Sequence, residues 1–283
     1  MKAERKLPQL VFSRGQTRFC ENLEWEDAAD VPALAPGDIH VWQFSLLAGE
    51  AIRSLLHSYL SSEEKERAAR FHFRRDRNRY VVAHGVIRVL LGRYVSLQPA
   101  ALHFYRGTNN KPALGDQPHG RALTFNLSHA ETVGVCAVSR NRNLGIDVEE
   151  IKEECVDEDF ANRYFSPQEV KELMNLPPEQ RANGFFACWT RKEAYVKALG
   201  TGLHAPLDGF TVSLVPDGPG RFLGGVDPKW RMSTFTAGLR FPAALVYDGA
   251  AADLRLFRLA PNCVWLARQR CAFRCGARWR SCR

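Results

Sequence analysis

No stretch of this chain approaches the ~18–20 consecutive apolar residues that a bilayer-crossing helix needs, so no membrane partner is expected. The N-terminus, Met1-Lys-Ala-Glu-Arg-Lys-Leu-Pro8, carries charges and lacks the apolar core of a secretory signal, which predicts a cytoplasmic protein. The eight cysteines lack the paired Cys-x-x-Cys spacing of a structural zinc site. Cys136 and Cys188 lie in apolar runs and read as small core residues, while Cys263, Cys271, Cys275 and Cys282 crowd the C-terminus. There is no internal repeat. The net charge is +8, with a pI near 9.2, but the basic residues lack the aromatic interleaving of a nucleic-acid motif. An acidic partner or a phosphate-bearing ligand suits that charge better than nucleic acid does.

With 283 residues, 45% of them hydrophobic, the chain can bury a sizeable core. Alternation predicts a strand over 38–47. Ser61 and Glu64 can form a capping box that opens a helix. Mixed three- and four-residue spacing predicts a largely buried helix over 80–95, in which Gly85 permits close packing. A short strand over 102–105 precedes a Gly/Asn/Pro-rich loop over 106–120. Three further strands follow, 123–128, 132–139 and 144–149, and read as an antiparallel meander. Ser166-Pro-Gln-Glu169 is a helix start with proline at the first helical position, and a longer helix covers about 180–199. Strands return over 209–215, 232–236 and 243–247. This order predicts an α+β fold in two sheet-and-helix halves. The N-terminal half is placed at 1–122 and the C-terminal half at 123–260. Residues 261–283, a basic Cys/Arg-rich stretch with no helix or strand period, are expected to be a poorly ordered tail.

The chemistry concentrates in Leu144-Gly-Ile-Asp-Val-Glu-Glu-Ile151 and Phe185-Phe-Ala-Cys-Trp-Thr-Arg-Lys-Glu-Ala-Tyr-Val-Lys-Ala-Leu-Gly200. On a strand, Asp147 and Glu149 share one face and Ile146 and Val148 the other. Two carboxylates side by side repel, and a hard cation such as Mg²⁺ would offset that. On the helix, Trp189, Glu193 and Lys197 form one stripe at a spacing of four. Taken alone, Glu193 and Lys197 make only an exposed ion pair worth about 0.3–0.5 kcal/mol. With Phe186 and Trp189 beside them the stripe turns inward, where charges need partners. Asp147, Glu149 and Glu193 are therefore candidate metal ligands. On the residues alone, His129 is better explained by a structural role at a strand end, and Lys111 is as well explained by a turn. The run of arginines from 67 to 79 is as well explained by a solvated face, with Arg67 its best functional candidate. Phe185 and Phe186 read as core.

Three blocks, in this order and spacing, resemble the 4′-phosphopantetheinyl transferases of the surfactin-synthetase-activating type. They are Lys111-Pro112 with Phe125-Asn-Leu-Ser-His129, then Gly145-Ile-Asp-Val-Glu149, then Trp189-Thr-Arg-Lys-Glu-Ala-Tyr-Val-Lys197. The similarity spans roughly 38–250 and includes the Ser61–Phe71 segment and Arg75-Asp76. It implies two similar halves, each a small mainly antiparallel sheet packed with helices, with the active site in the cleft between them. It also implies transfer of the phosphopantetheine arm of coenzyme A to a serine of acyl or peptidyl carrier proteins, releasing adenosine 3′,5′-bisphosphate, the holo-[acyl-carrier-protein] synthase reaction. Carriers of fatty-acid, polyketide or nonribosomal-peptide synthesis would serve as acceptors for a monomeric enzyme. By matching positions, Asp147, Glu149 and Glu193 would hold Mg²⁺. Glu193 would act as the base, Lys197 would contact the attacked phosphate, and Arg67, Lys111, Pro112, Ser128 and His129 would contact coenzyme A. The Cys/Arg-rich tail departs from the family pattern. The alternatives are another Mg²⁺-dependent phosphotransferase on a related scaffold and a basic nucleic-acid-binding protein.

Overall fold

The computed structural model describes residues 23–28, 30–107, 111–115, 123–153, 157–202, 205–215 and 218–259. The expected tail, 261–283, lies outside them. Twelve strands and six α-helices are found among these residues.

The larger sheet joins β1 (Trp25–Ala28), β2 (Asp38–Ser45), β5 (Leu123–Ala130), β6 (Val133–Arg140) and β12 (Asp253–Leu259), in the order β1-β12-β2-β6-β5. A three-stranded antiparallel sheet orders β10 (Trp230–Thr236), β11 (Pro242–Asp248) and β7 (Leu144–Val148) as β10-β11-β7. One face of the larger sheet carries Trp42, Phe44, Cys136 and Val138. It packs on α3 (Arg74–Val95) through Val82, Val86, Val89 and Leu90, and on Leu56 of α1 (Glu50–Tyr59). The opposite face, with Ile39, Val41, Val135 and Ala137, packs on Leu144, Ile146, Val148 and Leu245 of the smaller sheet. The outer face of the smaller sheet, with Met232, Ala244 and Val246, lies against α6 (Pro178–Leu199). The layers therefore run helix, sheet, sheet, helix, and the period-two alternation of each strand feeds two cores at once.

The local signals at the helix starts are borne out. In α2 (Ser62–Ala69) the Ser61 Oγ accepts from the Glu64 N–H at 3.2 Å, and the Glu64 carboxylate accepts from the Ser61 N–H at 2.9 Å. In α5 (Pro167–Asn175) Ser166 and Glu169 do the same. A Cβ at Gly85 would sit 2.6 Å from Leu56 Cβ, so glycine is what lets α1 and α3 touch.

The long-range expectations need correction. The meander over 123–149 stops after two strands, because β7 pairs with β11 instead of β6. The reason is its apolar face. Leu144, Ile146 and Val148 are buried against the larger sheet, which requires β7 to cross it as a second layer. Nor does 122/123 separate two sheets. β6 pairs with β2 through the ladder Ile39–Ser45 with Ser139–Val133, β5 joins the sheet through β6, and β12 enters it parallel to β2. Their pairing covers both edges of β2, which would otherwise present unpaired backbone groups. The larger sheet is mixed as a result. The 209–215 strand shrinks to β8 (Thr211–Val212), paired with β9 (Phe222–Gly224). In the supposed 106–120 loop, β4 (Pro112–Leu114) pairs with β3 (Phe104–Arg106). Helices α1 and α4 (Glu158–Tyr164) and strands β1 and β12 were not anticipated.

Candidate active site

Gly145 decides how closely β7 approaches α6. A Cβ there would stand 2.2 Å from the Ala194 carbonyl oxygen and 2.3 Å from the Ala198 nitrogen, so the helix rides directly on the strand. Two residues on, on the same face, Asp147 is brought under Lys197. The Asp147 Oδ1 accepts from the Lys197 ammonium at 2.5 Å and from the Ser128 hydroxyl at 2.8 Å. Lys197 also donates to Ser128 Oγ at 2.9 Å. Asp147 is buried, and its second oxygen, Oδ2, is shut off from solvent with no hydrogen-bond partner among the described residues. Glu193 Oε1 is in the same condition.

The carboxylates act on one another. Glu149 is pushed up to about 7, first by burial and then by the charge of Asp147. Glu193 adds to that rise, while Lys197 and a hydrogen bond from Trp189 oppose it. Glu193 is raised by burial first and then by Asp147, with Lys197 opposing. Among the described residues, no group of three or more His, Cys, Asp or Glu is already gathered in metal-ligating geometry. Lys197 instead provides the positive charge on Asp147. The donor set still fits a hard cation. Two buried carboxylate oxygens without partners and a pair of raised carboxyl groups are what a divalent oxygen-ligated ion would satisfy.

Beside these groups lies a cavity of about 830 Å³. One wall comes from α3 and the segment before it, with Phe71, Arg79 and Tyr80. The hairpin between β5 and β6 supplies His129 and Glu131, and α6 supplies Phe185, Phe186 and Trp189. His129 is exposed at the cavity wall, yet its pKa is lowered, first by desolvation and then by the positive charges of His84, Lys197 and Arg79. Arg79 and Lys197 bring positive charge to this end of the cavity, where an anion would be favoured.

The structure brings together Ser128, Asp147, Glu193 and Lys197, with Glu149 and His129 alongside. Other expected contacts fall elsewhere. Lys111 donates to the carbonyls of Leu144 at 2.7 Å and Lys197 at 2.8 Å, tying β7 to the end of α6. Burial pulls its pKa down to about 8, against the pull of Asp248. Pro112 opens β4 and is exposed. Arg67 lies on the last turn of α2, 5.8 Å from the Tyr80 ring centroid, in a smaller cleft shared with Arg70 and Phe71. Phe185 and Phe186 are core residues, as read, but they also line the cavity.

Two features had no reading in the sequence. Arg79 pairs with Glu131, and Glu131 accepts from Lys152 at 3.2 Å, a bridge across the cavity mouth between residues far apart in sequence. The motif residues Arg191 and Lys192 face away from the site. Arg191 donates to the carbonyls of Ser213, Val215 and Gly218, at 2.5 Å, 3.0 Å and 2.9 Å. Lys192 is fully buried, 2.7 Å from the Glu169 carboxylate and 2.7 Å from each of the carbonyls of Leu207 and Phe210. The spacing could have shown this for Arg191, two residues from both Trp189 and Glu193 and so on the other side of the helix, but not for Lys192, which is three residues from Trp189.

Two family models match the chain in succession. The first, described as 4′-phosphopantetheinyl transferase, N-terminal, covers residues 50–141, and the second, 4′-phosphopantetheinyl transferase superfamily, covers 143–246. They meet where β6 ends. The chain is 37% identical to 4′-phosphopantetheinyl transferase HetI of Nostoc sp., over 70% of this chain and 83% of that protein. It is 35% identical to a 4′-phosphopantetheinyl transferase of Bacillus subtilis, over 61% of this chain and 74% of that protein. It is 30% identical to 4′-phosphopantetheinyl transferase Sfp of Bacillus subtilis strain 168, over 57% and 69%. The chain belongs to the 4′-phosphopantetheinyl transferase superfamily. No helix among the described residues is long and apolar enough to cross a membrane.

Proposed function

We propose that this enzyme transfers the 4′-phosphopantetheine arm of coenzyme A to a serine hydroxyl of an acyl or peptidyl carrier protein in a Mg²⁺-dependent reaction. The supporting observation is the convergence of Asp147, Glu193, Lys197 and Ser128, with two buried carboxylate oxygens left unpartnered. Asp147, Glu149 and Glu193 are the groups that would hold Mg²⁺, which when bound neutralises the coenzyme A pyrophosphate and the charge that builds on it.

The chain's own residues account for the rest. A serine hydroxyl is a poor nucleophile at neutral pH and needs a base. Glu193, raised by burial and by Asp147, is suited to take that proton. The serine oxygen then bonds to the phosphorus that carries the pantetheine arm. The bond from that phosphorus to the bridging oxygen breaks, and adenosine 3′,5′-bisphosphate leaves with the electron pair. The Lys197 ammonium lies next to that chemistry and stabilises the charge of the phosphoryl group. His129, among Arg79, His84 and Lys197, takes a phosphate of the nucleotide, with Ser128 at its side. The basic character of the chain suits acidic carriers. Fatty-acid, polyketide or peptide-synthesis carriers would be accepted by a cytoplasmic monomer.

The test is incubation with fluorescent coenzyme A and a panel of apo-carriers, with and without EDTA. Label on a carrier that EDTA abolishes is the expected result. No label on any carrier, with coenzyme A failing to bind alongside Mg²⁺, would point to another phosphotransferase.

A further inference from the structure

A second basic cleft lies where β6 ends and β7 begins. It is at the far end of β6 from the hairpin that walls the catalytic cavity, about 24 Å away along an eight-residue strand. It encloses about 620 Å³, and Gly37, Arg140, Arg142, Lys229 and Asp248 contribute to its lining. Three of these side chains are cations and one is an anion. The anion is already engaged, because the Asp248 carboxylate accepts from the Asn143 N–H at 2.9 Å and from Asn143 Nδ2 at 2.8 Å.

The cations are poorly compensated. Arg142 donates to the carbonyls of Asp248 at 3.0 Å and Ala250 at 2.6 Å, and its guanidinium lies 5.7 Å from the Tyr247 ring centroid. These partners are neutral and fix the group as a wall without cancelling its charge. Lys229 reaches Asp227 at 3.6 Å, but both side chains are more than half exposed, a contact of little worth. Arg140 is half-buried, and its Nε is shut off from solvent with no acceptor among the described residues. A guanidinium that has already lost water from one donor gains from an anion on its remaining donors. Paired guanidinium groups suit the geometry of phosphate oxygens.

We propose that this cleft is a second anion site, separate from the catalytic cavity, for a phosphate-bearing small molecule. Its volume falls in the range of ligand pockets and exceeds the space of a bare oxyanion, which favours an organic phosphate over the free ion. The proposal stands independently of the reaction assigned to the catalytic cavity.

Titration of the full chain, ¹⁵N-labelled in its arginine side chains, with sodium pyrophosphate tests it. Sodium chloride at matched ionic strength is the control, and Arg140→Lys assigns the Arg140 Nε–H resonance. The expected result is a saturable shift of that resonance which persists in His129→Ala, where the catalytic anion seat is impaired. Arg140→Gln should weaken the same titration, read at the Arg142 Nε–H, by roughly tenfold. A shift that rises without saturation, as with chloride, would overturn the proposal. So would a saturable shift that disappears in His129→Ala, because that signal would come from the catalytic cavity.

Discussion

Lys197 and Lys192 stand five residues apart on one helix and meet opposite fates. Lys197 sits on Asp147 and Ser128 at the edge of the cavity, with its side chain still partly exposed. Lys192 is sealed in the core against Glu169. Lys197→Met should therefore lower kcat for carrier modification by about two to three orders of magnitude, the cost of removing one charge-stabilising donor, with a smaller loss of stability because Asp147 keeps the Ser128 hydroxyl and lies at the edge of the cavity. Steady-state kinetics beside a thermal melt checks this. Lys192→Met should do the reverse. It leaves the Glu169 carboxylate buried without its counter-charge, which destabilises by about 3–5 kcal/mol in urea unfolding. Glu169→Gln removes the stranded charge and its one carbonyl oxygen can still accept from either the Ser166 or the Val212 N–H, so combined with Lys192→Met it should recover part of the loss.

At the scale of elements, the site depends on β7 touching α6. Gly145→Ala puts a methyl group onto the helix backbone at Ala194 and Ala198, where no flexible side chain can yield. The variant should lose at least about 1–3 kcal/mol of stability by denaturant unfolding, and should lose activity as Asp147 is displaced from Lys197. This strand and helix were legible in the sequence because their signals are local. A period of two put Asp147 opposite Ile146, and a spacing of four put Glu193 and Lys197 on one stripe. The capping boxes at Ser61 and Ser166 were legible for the same reason. Sheet membership was not. Nothing within 253–259 says that β12 will insert between β1 and β2, and nothing within 144–148 says that β7 will leave its hairpin neighbour. Both outcomes are set by which distant apolar face each strand must cover. Lys111 shows the same limit at the site. Its motif is visible in the sequence, but its ammonium is held by two carbonyls that only the folded chain brings together.

Across the whole molecule, the layers place one ionisable group where only its neutral form is tolerated. His40, on the α3-facing side of β2, is fully buried, and its Nδ1 lies 2.8 Å from the Tyr94 hydroxyl, which also accepts from Trp42 Nε1 at 2.8 Å. Burial pulls its pKa from 6.5 down to about 4, with Asp38 opposing. The unfolded chain therefore takes up this proton at a higher pH than the native one. The stabilisation is fully present above about pH 6.5 and falls as pH drops toward 4, by on the order of 3 kcal/mol. His40→Gln should be less stable at pH 7.5 but should show a flatter loss across that window in urea titrations. The proposed activity depends on the acidic and basic groups joined by the two sheets and α6. Intact-mass measurement of an apo-carrier after incubation with coenzyme A, Mg²⁺ and the enzyme tests it most directly, with wild type and a folded Asp147→Ala variant in parallel. The prediction is a gain of one phosphopantetheine with wild type and none with the variant over the same time. Equal modification by both would contradict it.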